Sequence, residues 1–198
     1  MQAATLKGIT SAEYGCSAKP TSWMLNASIV VTMEHRSLFP DAAQMQALEV
    51  CHAAYRLHRE GRVTEAIELY RQSIALHPTP EAYTFLGWAY SHLGKYEEAI
   101  AECLRAIALD PDYGNPYNDI GVYLMELRQL DEAEAWFEKA IAAPRYATRH
   151  YAHYNLGRLY ERRGKWIRAL HEYYTALMLE PSYHPAALAL LHLQAKLN

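Results

Sequence analysis

Histidine, cysteine and glycine are the residues of this 198-residue chain that could carry catalysis or hold a ligand, and their spacing decides the matter. Ten histidines are present. His150 and His153 would share one face of a helix, as a metal pair does, but no carboxylate or cysteine stands at a spacing that completes a site. A surface or packing role is expected for them. The three cysteines, Cys16, Cys51 and Cys103, are odd in number and lack metal-like spacing, which argues against a disulfide framework and for a reducing compartment. Cys103 falls on an apolar helical face and reads as a small core residue, while Cys51 sits on a first helix, where it could be exposed, without an identifiable catalytic partner. Gly61, Gly94 and Gly164 are isolated turn residues, unlike a glycine loop that cradles phosphate. These patterns support no catalytic residue, metal or cofactor, and the chain reads as a non-enzyme.

The bulk composition narrows the class further. Hydrophobic residues make up 51% and charged residues 21%, the balance of a globular chain. A formal net charge of -3 gives no general attraction to nucleic acid or an anionic membrane, and no apolar run approaches the ~20 residues of a bilayer span. Fifteen of the sixteen tyrosines follow position 50, so the chain changes character there.

What must position any functional side chain is an internal repeat. Ala66, Ala99, Ala133 and Ala169 occupy equivalent places, spaced by 33, 34 and 36 residues. Upstream of each stands a small residue, Ala54, Gly87, Gly121 or Gly157, and downstream another, Ser73, Ala106, Ala140 or Ala176. Apolar residues recur between them at three- and four-residue steps, and Gly61, Gly94, Arg128 or Gly164 breaks each unit into two helices. Each unit is a helical hairpin whose small residues let two backbones approach, closed by Pro78, Pro111, Pro144 or Pro181.

On these residues the chain resembles the tetratricopeptide repeat family, whose pattern has eight signature positions in about 34 residues. Of thirty-two places in four copies, two depart: His153 replaces a large apolar residue, and Arg145 stands where the proline belongs. The resemblance runs from about residue 44 to the C-terminus. It implies an all-α fold, an α-solenoid of about four helix-turn-helix repeats in a right-handed superhelix. The repeats are expected at about 47–79, 80–113, 114–149 and 150–183, with residues 184–198 resembling the solvating helix that caps such arrays. Phe39-Pro40-Asp41 followed by Gln44 reads as a helix start with a capping box.

Residues 1–40 hold no repeat position and are expected to be disordered or loosely docked. Gly15-Cys16 invites a lipoprotein reading, but Ile9 to Glu13 is not the apolar run that export requires, and Asn26 and Ser28 interrupt the candidate between Met24 and Met33. Met33 is a second candidate start.

In arrays that this chain resembles, first helices line a concave face through residues two, five, nine, twelve and thirteen of each unit. The projected ligand-binding set is Tyr55, Thr84, Trp88, Asn115, Asn118, Val122, Glu126, Tyr151, Tyr154, Asn155, Arg158 and Arg162, with Cys51, His58, His92 and Met125 alongside. Tyr55, Trp88, Tyr151 and Tyr154 offer large rigid contact area, and the three asparagines could bond a peptide backbone; plain hairpin packing is the competing role. The family's carboxylate clamp is absent, since Cys51 and Tyr55 stand where lysine and asparagine are needed, Phe85 where asparagine is needed, and Asn115 and Asp119 where lysine and arginine are needed. Its asparagine ladder keeps one rung, Asn155, beside His52, Phe85 and Asp119.

Charge is segregated: residues 110–138 carry a net -7 and residues 145–168 a net +6. Either the opposite signs attract across a repeat interface, or Asp119 and Glu126 face Arg158 and Arg162 as the walls of a polar groove. RNA stacked on Tyr151 and Tyr154 is the less favoured use of the basic end. The expected function is a non-enzymatic protein-protein interaction module, an adaptor or assembly factor of the cytoplasm that holds a peptide or helix of a partner protein. The rival is an envelope-associated assembly factor resembling the tetratricopeptide lipoproteins of pilus and outer-membrane biogenesis.

Overall fold

The computed structural model describes residues 41–197. Among them nine helices follow one another: α1 (Ala42–Arg59), α2 (Val63–Leu76), α3 (Pro80–His92), α4 (Tyr96–Leu109), α5 (Asn115–Glu126), α6 (Leu130–Ala142), α7 (Arg149–Arg162), α8 (Trp166–Leu179) and α9 (His184–Leu197). The chain is an α-solenoid. Four hairpins, α1–α2, α3–α4, α5–α6 and α7–α8, make the most extensive contacts, and each second helix packs on the first helix of the next hairpin. First helices also touch, α1 with α3, α3 with α5 and α5 with α7, so they share one face.

Local chemistry sets the helix limits. The Asp41 carboxylate accepts from the Gln44 N–H at 2.8 Å while the Gln44 side chain accepts from the Asp41 N–H at 3.0 Å, the reciprocal capping box expected there. Thr79 caps α3 through the Ala82 N–H, with Pro80 at the first helical position. Inside each hairpin the turn residue has positive φ: 81° at Gly61, 71° at Gly94, 65° at Arg128 and 69° at Gly164. The following N–H then reaches back five residues, as from Lys165 to the Tyr160 carbonyl at 2.8 Å, which satisfies a helix-end acceptor.

The small residues do what their register implies. Ala66, Ala99, Ala133 and Ala169 are fully buried, and a Cβ on Gly87 would lie 2.9 Å from the Ala99 carbonyl oxygen. A Cβ at Gly121 would lie 2.6 Å from the Phe137 ring, and one at Gly157 would lie 2.4 Å from Tyr173, so neither hairpin could close around a larger residue. His153, the departure from the apolar pattern, pairs its Nδ1 with Glu172 at 2.8 Å across the α7–α8 hairpin.

The longer connection between α6 and α7 has a separate purpose. Residues Tyr113 and Arg145 form an isolated parallel bridge, and the buried Tyr146 ring packs where a Cβ on Gly114 would stand, 2.3 Å from Tyr146 Cβ. Both loop arginines are committed. Arg145 pairs with Glu81 at 2.8 Å and Asp110 at 3.0 Å, and Arg149 donates to the carbonyls of Ile141, Ala143 and Tyr146, closing the end of α6.

At the C-terminal end the expected capping helix is present: α9 buries Ala186 and Leu193 against the array, and its exposed surface mixes His192, Gln194 and Lys196 with apolar residues. Leu188, Leu191 and Leu197 remain exposed. The expectations for residues 1–40, including the lipid-anchor and alternative-start readings, lie outside the described residues.

Candidate concave binding face

The first helices present two stripes to the concave side, and they lie at different depths. Positions five and twelve are seven residues apart, hence at nearly the same angle around a helix, and that angle is wedged toward the next first helix. Cys51, His58, Thr84, Asn118 and Met125 are all buried, and they form a floor. Positions two, nine and thirteen form the accessible rim. On the rim Tyr55, Trp88, Asn115, Val122 and Arg158 are half-buried, while His92, Glu126, Tyr151 and Arg162 are exposed; Tyr154, at position five, is half-buried where its counterparts Cys51, Thr84 and Asn118 are buried.

Several expected ligand contacts are therefore used within the chain. The Thr84 hydroxyl donates to the Pro80 carbonyl at 2.7 Å. Asn155 donates from Nδ2 to Asn118 Oδ1 at 3.0 Å, and its own Oδ1 accepts from Arg158 at 3.2 Å, so the two amides link α5 to α7. Cys51, expected as a possible exposed thiol, is buried, and its pKa is raised by that burial. Burial likewise pushes the Asp119 carboxyl up to about 7 against the bond from the Asn118 amide, which reduces the charge that Asp119 brings to an acidic wall at neutral pH.

The N-terminal half of the face is aromatic. The Tyr55 ring centroid lies 5.4 Å from Phe85 and 6.2 Å from Trp88, and Trp88 lies 3.9 Å from His58. His58 Nε2 faces His92 Nδ1 at 3.0 Å, and burial, with His92 second, lowers the His58 pKa to about 4. A neutral His58 sharing one hydrogen bond with His92 follows. Beside this cluster an apolar recess of about 210 Å³ opens between α1 and α3, lined by Leu48, Cys51, Ser73 and Phe85 with Glu81 at its edge. A single-helix pattern could not show it, because residues of α1, α2 and α3 form it.

The C-terminal half is basic, and α9 extends it. At a 34-residue step Leu188, His192 and Lys196 continue positions five, nine and thirteen, so the repeat register in the sequence itself extends the face into α9. Arg158, Glu161, Arg162, Trp166 and Lys196 line an open cavity of about 300 Å³, with the Lys196 ammonium 4.1 Å from the Trp166 ring centroid. Tyr151 and Tyr154 meet Tyr183 edge-on at 5.2 and 5.3 Å, so their rings are held by packing as well as presented.

The charge segregation resolves largely into repeat-to-repeat pairing. Arg162 bonds Glu126 at 2.9 Å and the Met125 carbonyl at 2.9 Å, and Arg163 bonds Asp131, Glu134 and the Leu130 carbonyl. Glu126 and Arg162 are thus one ion pair, not opposing walls. Among the described residues no group of three or more His, Cys, Asp or Glu side chains could hold a metal ion.

Family comparison agrees with this geometry. Models described as tetratricopeptide repeat match residues 52–114 and 117–143. The chain belongs to the tetratricopeptide repeat family. It is 33% identical over 94 residues to the TPR repeat-containing thioredoxin TTL4 of Arabidopsis thaliana, a stretch that is 46% of this chain and 14% of that protein. The chain therefore spans a small part of that relative's length. Among solved structures it overlays the Pseudomonas aeruginosa pilF protein with a TM-score of 0.73 at 20% identity, covering 79% of this chain and 71% of the other. PilW, a type IV pilus biogenesis factor, overlays with a TM-score of 0.66 at 23% identity, covering 71% and 65%. These two likenesses concern the fold.

Proposed function

We propose that this tetratricopeptide repeat protein is a non-enzymatic adaptor or assembly factor whose concave face holds a peptide or helix of a partner protein. The observation that carries the reading is the accessible rim, which runs from Tyr55 and Trp88 through Val122 to Arg158, Arg162 and Lys196. An aromatic end beside an apolar recess suits an apolar anchor of the partner, and the cationic end suits acidic residues further along the same segment. TTL4 is a relative in which such repeats accompany another domain, named as a thioredoxin, which fits a modular role. The proposed address is the cytoplasm, against the cell envelope suggested by the likeness to PilW, and fractionation of the native cell separates the two.

Trp88→Ala and Arg158→Glu test the face. Each should weaken capture of a partner identified by affinity purification by about tenfold or more, because an aromatic anchor or a reversed charge at an interface commonly costs ~2 kcal/mol. Circular dichroism should stay unchanged, and Lys95→Ala, in an exposed turn, should bind as the parent does. Full binding by both folded variants would sink the concave-face reading.

A further inference from the structure

Every second helix turns one stripe outward on the convex side, and the repeat register lets the four stripes be compared place by place. The places lie two residues before and two, five and nine after the buried alanine of each helix. In α2 they hold Thr64, Glu68, Arg71 and Ala75; in α4, Glu97, Ala101, Leu104 and Ala108; in α6, Asp131, Ala135, Glu138 and Ala142. In α8 they hold Ile167, His171, Tyr174 and Met178. All sixteen residues are exposed, so the backbone geometry is the same and only the chemistry changes. Ile167 is 75%, Tyr174 58% and Met178 66% exposed. No packing within the described hairpins accounts for three large apolar side chains at places that the other repeats fill chiefly with charged or small residues.

Their spacing identifies the kind of partner. Steps of four, three and four residues are those of a two-helix seam, in which knobs from one helix enter holes of another. The stripe is also self-complementary. If a second α8 lies antiparallel about a two-fold axis between positions 172 and 173, Ile167 meets Met178 of the other copy and His171 meets Tyr174. Lys165 and Glu180, at the two ends of α8, face away from this stripe: the Lys165 ammonium lies 5.8 Å from the Tyr160 ring centroid, and the Glu180 carboxylate accepts from Ser182.

We propose that the convex face of the fourth repeat is an isologous interface for a second copy of this chain, built on an antiparallel α8 pair. The concave face stays open in each copy, so the dimer would present two partner-binding grooves. Four side chains per copy place the contact at the small end of specific interfaces, where dissociation constants are about micromolar or weaker.

Sedimentation of the full chain over a concentration series from about 1 to 200 μM tests this against that affinity range. A concentration-dependent dimer is expected. Ile167→Glu and Met178→Glu, at sites exposed in the monomer, should each weaken self-association by about tenfold or more with circular dichroism unchanged. Met178→Lys should also weaken it, and Ile167→Glu combined with Met178→Lys should regain part of it, since only the antiparallel register sets position 167 against position 178 of the other copy. A parent that stays monomeric throughout overturns the proposal, including the case in which the stripe instead captures an unrelated amphipathic helix. A dimer that survives both glutamate variants places the interface elsewhere and overturns it equally. Failure of the double variant to recover overturns the antiparallel register.

Discussion

Replacing Arg163 by alanine should loosen the junction between the third and fourth hairpins more than any other single charge deletion in the chain. The side chain is 12% exposed and donates to Asp131 and to the Leu130 carbonyl at 2.6 Å each, and to Glu134. Asp131 is fully exposed, so its pair contributes little, in the range of ~0–1 kcal/mol measured for surface ion pairs. Glu134 decides the magnitude. It is 23% exposed, also accepts from the Tyr160 hydroxyl at 2.6 Å, and would lose its bonded guanidinium, keeping only the charge of Lys165 nearby. Breaking a fully buried pair costs ~3–5 kcal/mol, and the residual solvent access here reduces that to about 2–3 kcal/mol. For an array of this size the melting midpoint should fall by ~4–12 °C. Urea and thermal unfolding followed by circular dichroism would measure it, with Arg162→Ala as the control. The Arg162–Glu126 pair is 37% and 36% exposed, so that variant should lose less than about 1 kcal/mol. The pH dependence has a definite sign. Burial pushes the Glu134 carboxyl up, but the Tyr160 hydroxyl and Arg163 guanidinium together bring it below its ordinary 4.5. A depressed carboxyl stabilises the fold above pH 4.5 and loses that contribution as pH falls through the folded value, so parent and variant should converge in acid. Equal melting of the Arg163 and Arg162 variants at neutral pH would refute the assignment of Glu134 as the interface carboxylate.

Three further perturbations probe other levels of the structure. Gly121→Leu must displace the buried Phe137 ring, at an overpacking cost of ~1–3 kcal/mol or more that exceeds the gain in helix propensity, and a parent-like urea midpoint would show the crossing to be misplaced. The parent should lose stability as pH falls from 6.5 toward about 4, because the unfolded chain takes up a proton that the buried His58 imidazole refuses; His58→Gln should flatten that slope, and an unaltered slope would remove His58 as its source. Gly114→Ala should destabilise by forcing Tyr146 out of its seat, and Tyr146→Gly in the same chain, which removes the Cβ as well as the ring, should recover part of the loss; absence of any recovery would mean that the glycine serves the backbone turn and not the contact with residue 146.

The hairpins were legible because their determinant is local. A small residue must stand where two helices cross, and Ala66, Ala99, Ala133 and Ala169 repeat that requirement at nearly constant spacing, so the register could be read without knowing the shape of the array. Depth within the concave face was not legible in the same way. Helical periodicity puts Cys51 and His58 at one angle and Tyr55 at another, but which angle is wedged against the neighbouring first helix depends on how one hairpin rotates relative to the next. No residue within a single helix encodes that rotation. Hence Thr84, Asn118 and Met125 read as groove contacts and prove to be its floor, joined by bonds such as Asn155 to Asn118 at 3.0 Å.

The charge blocks show the same division between composition and geometry. A net -7 beside a net +6 admits both a polar groove and an internal junction, and the choice rests on which carboxylate each guanidinium can reach. Arg162 and Arg163, adjacent in sequence, diverge by about 100° around α7, so one meets Glu126 on the groove rim while the other meets Glu134 in the interface. Arg158, four residues earlier and near the angle of Arg162, bonds an amide instead of a carboxylate and keeps its charge unpaired among the described residues. That difference makes Arg158, and not the ion-paired Arg162, the cation on which an acidic partner segment would depend.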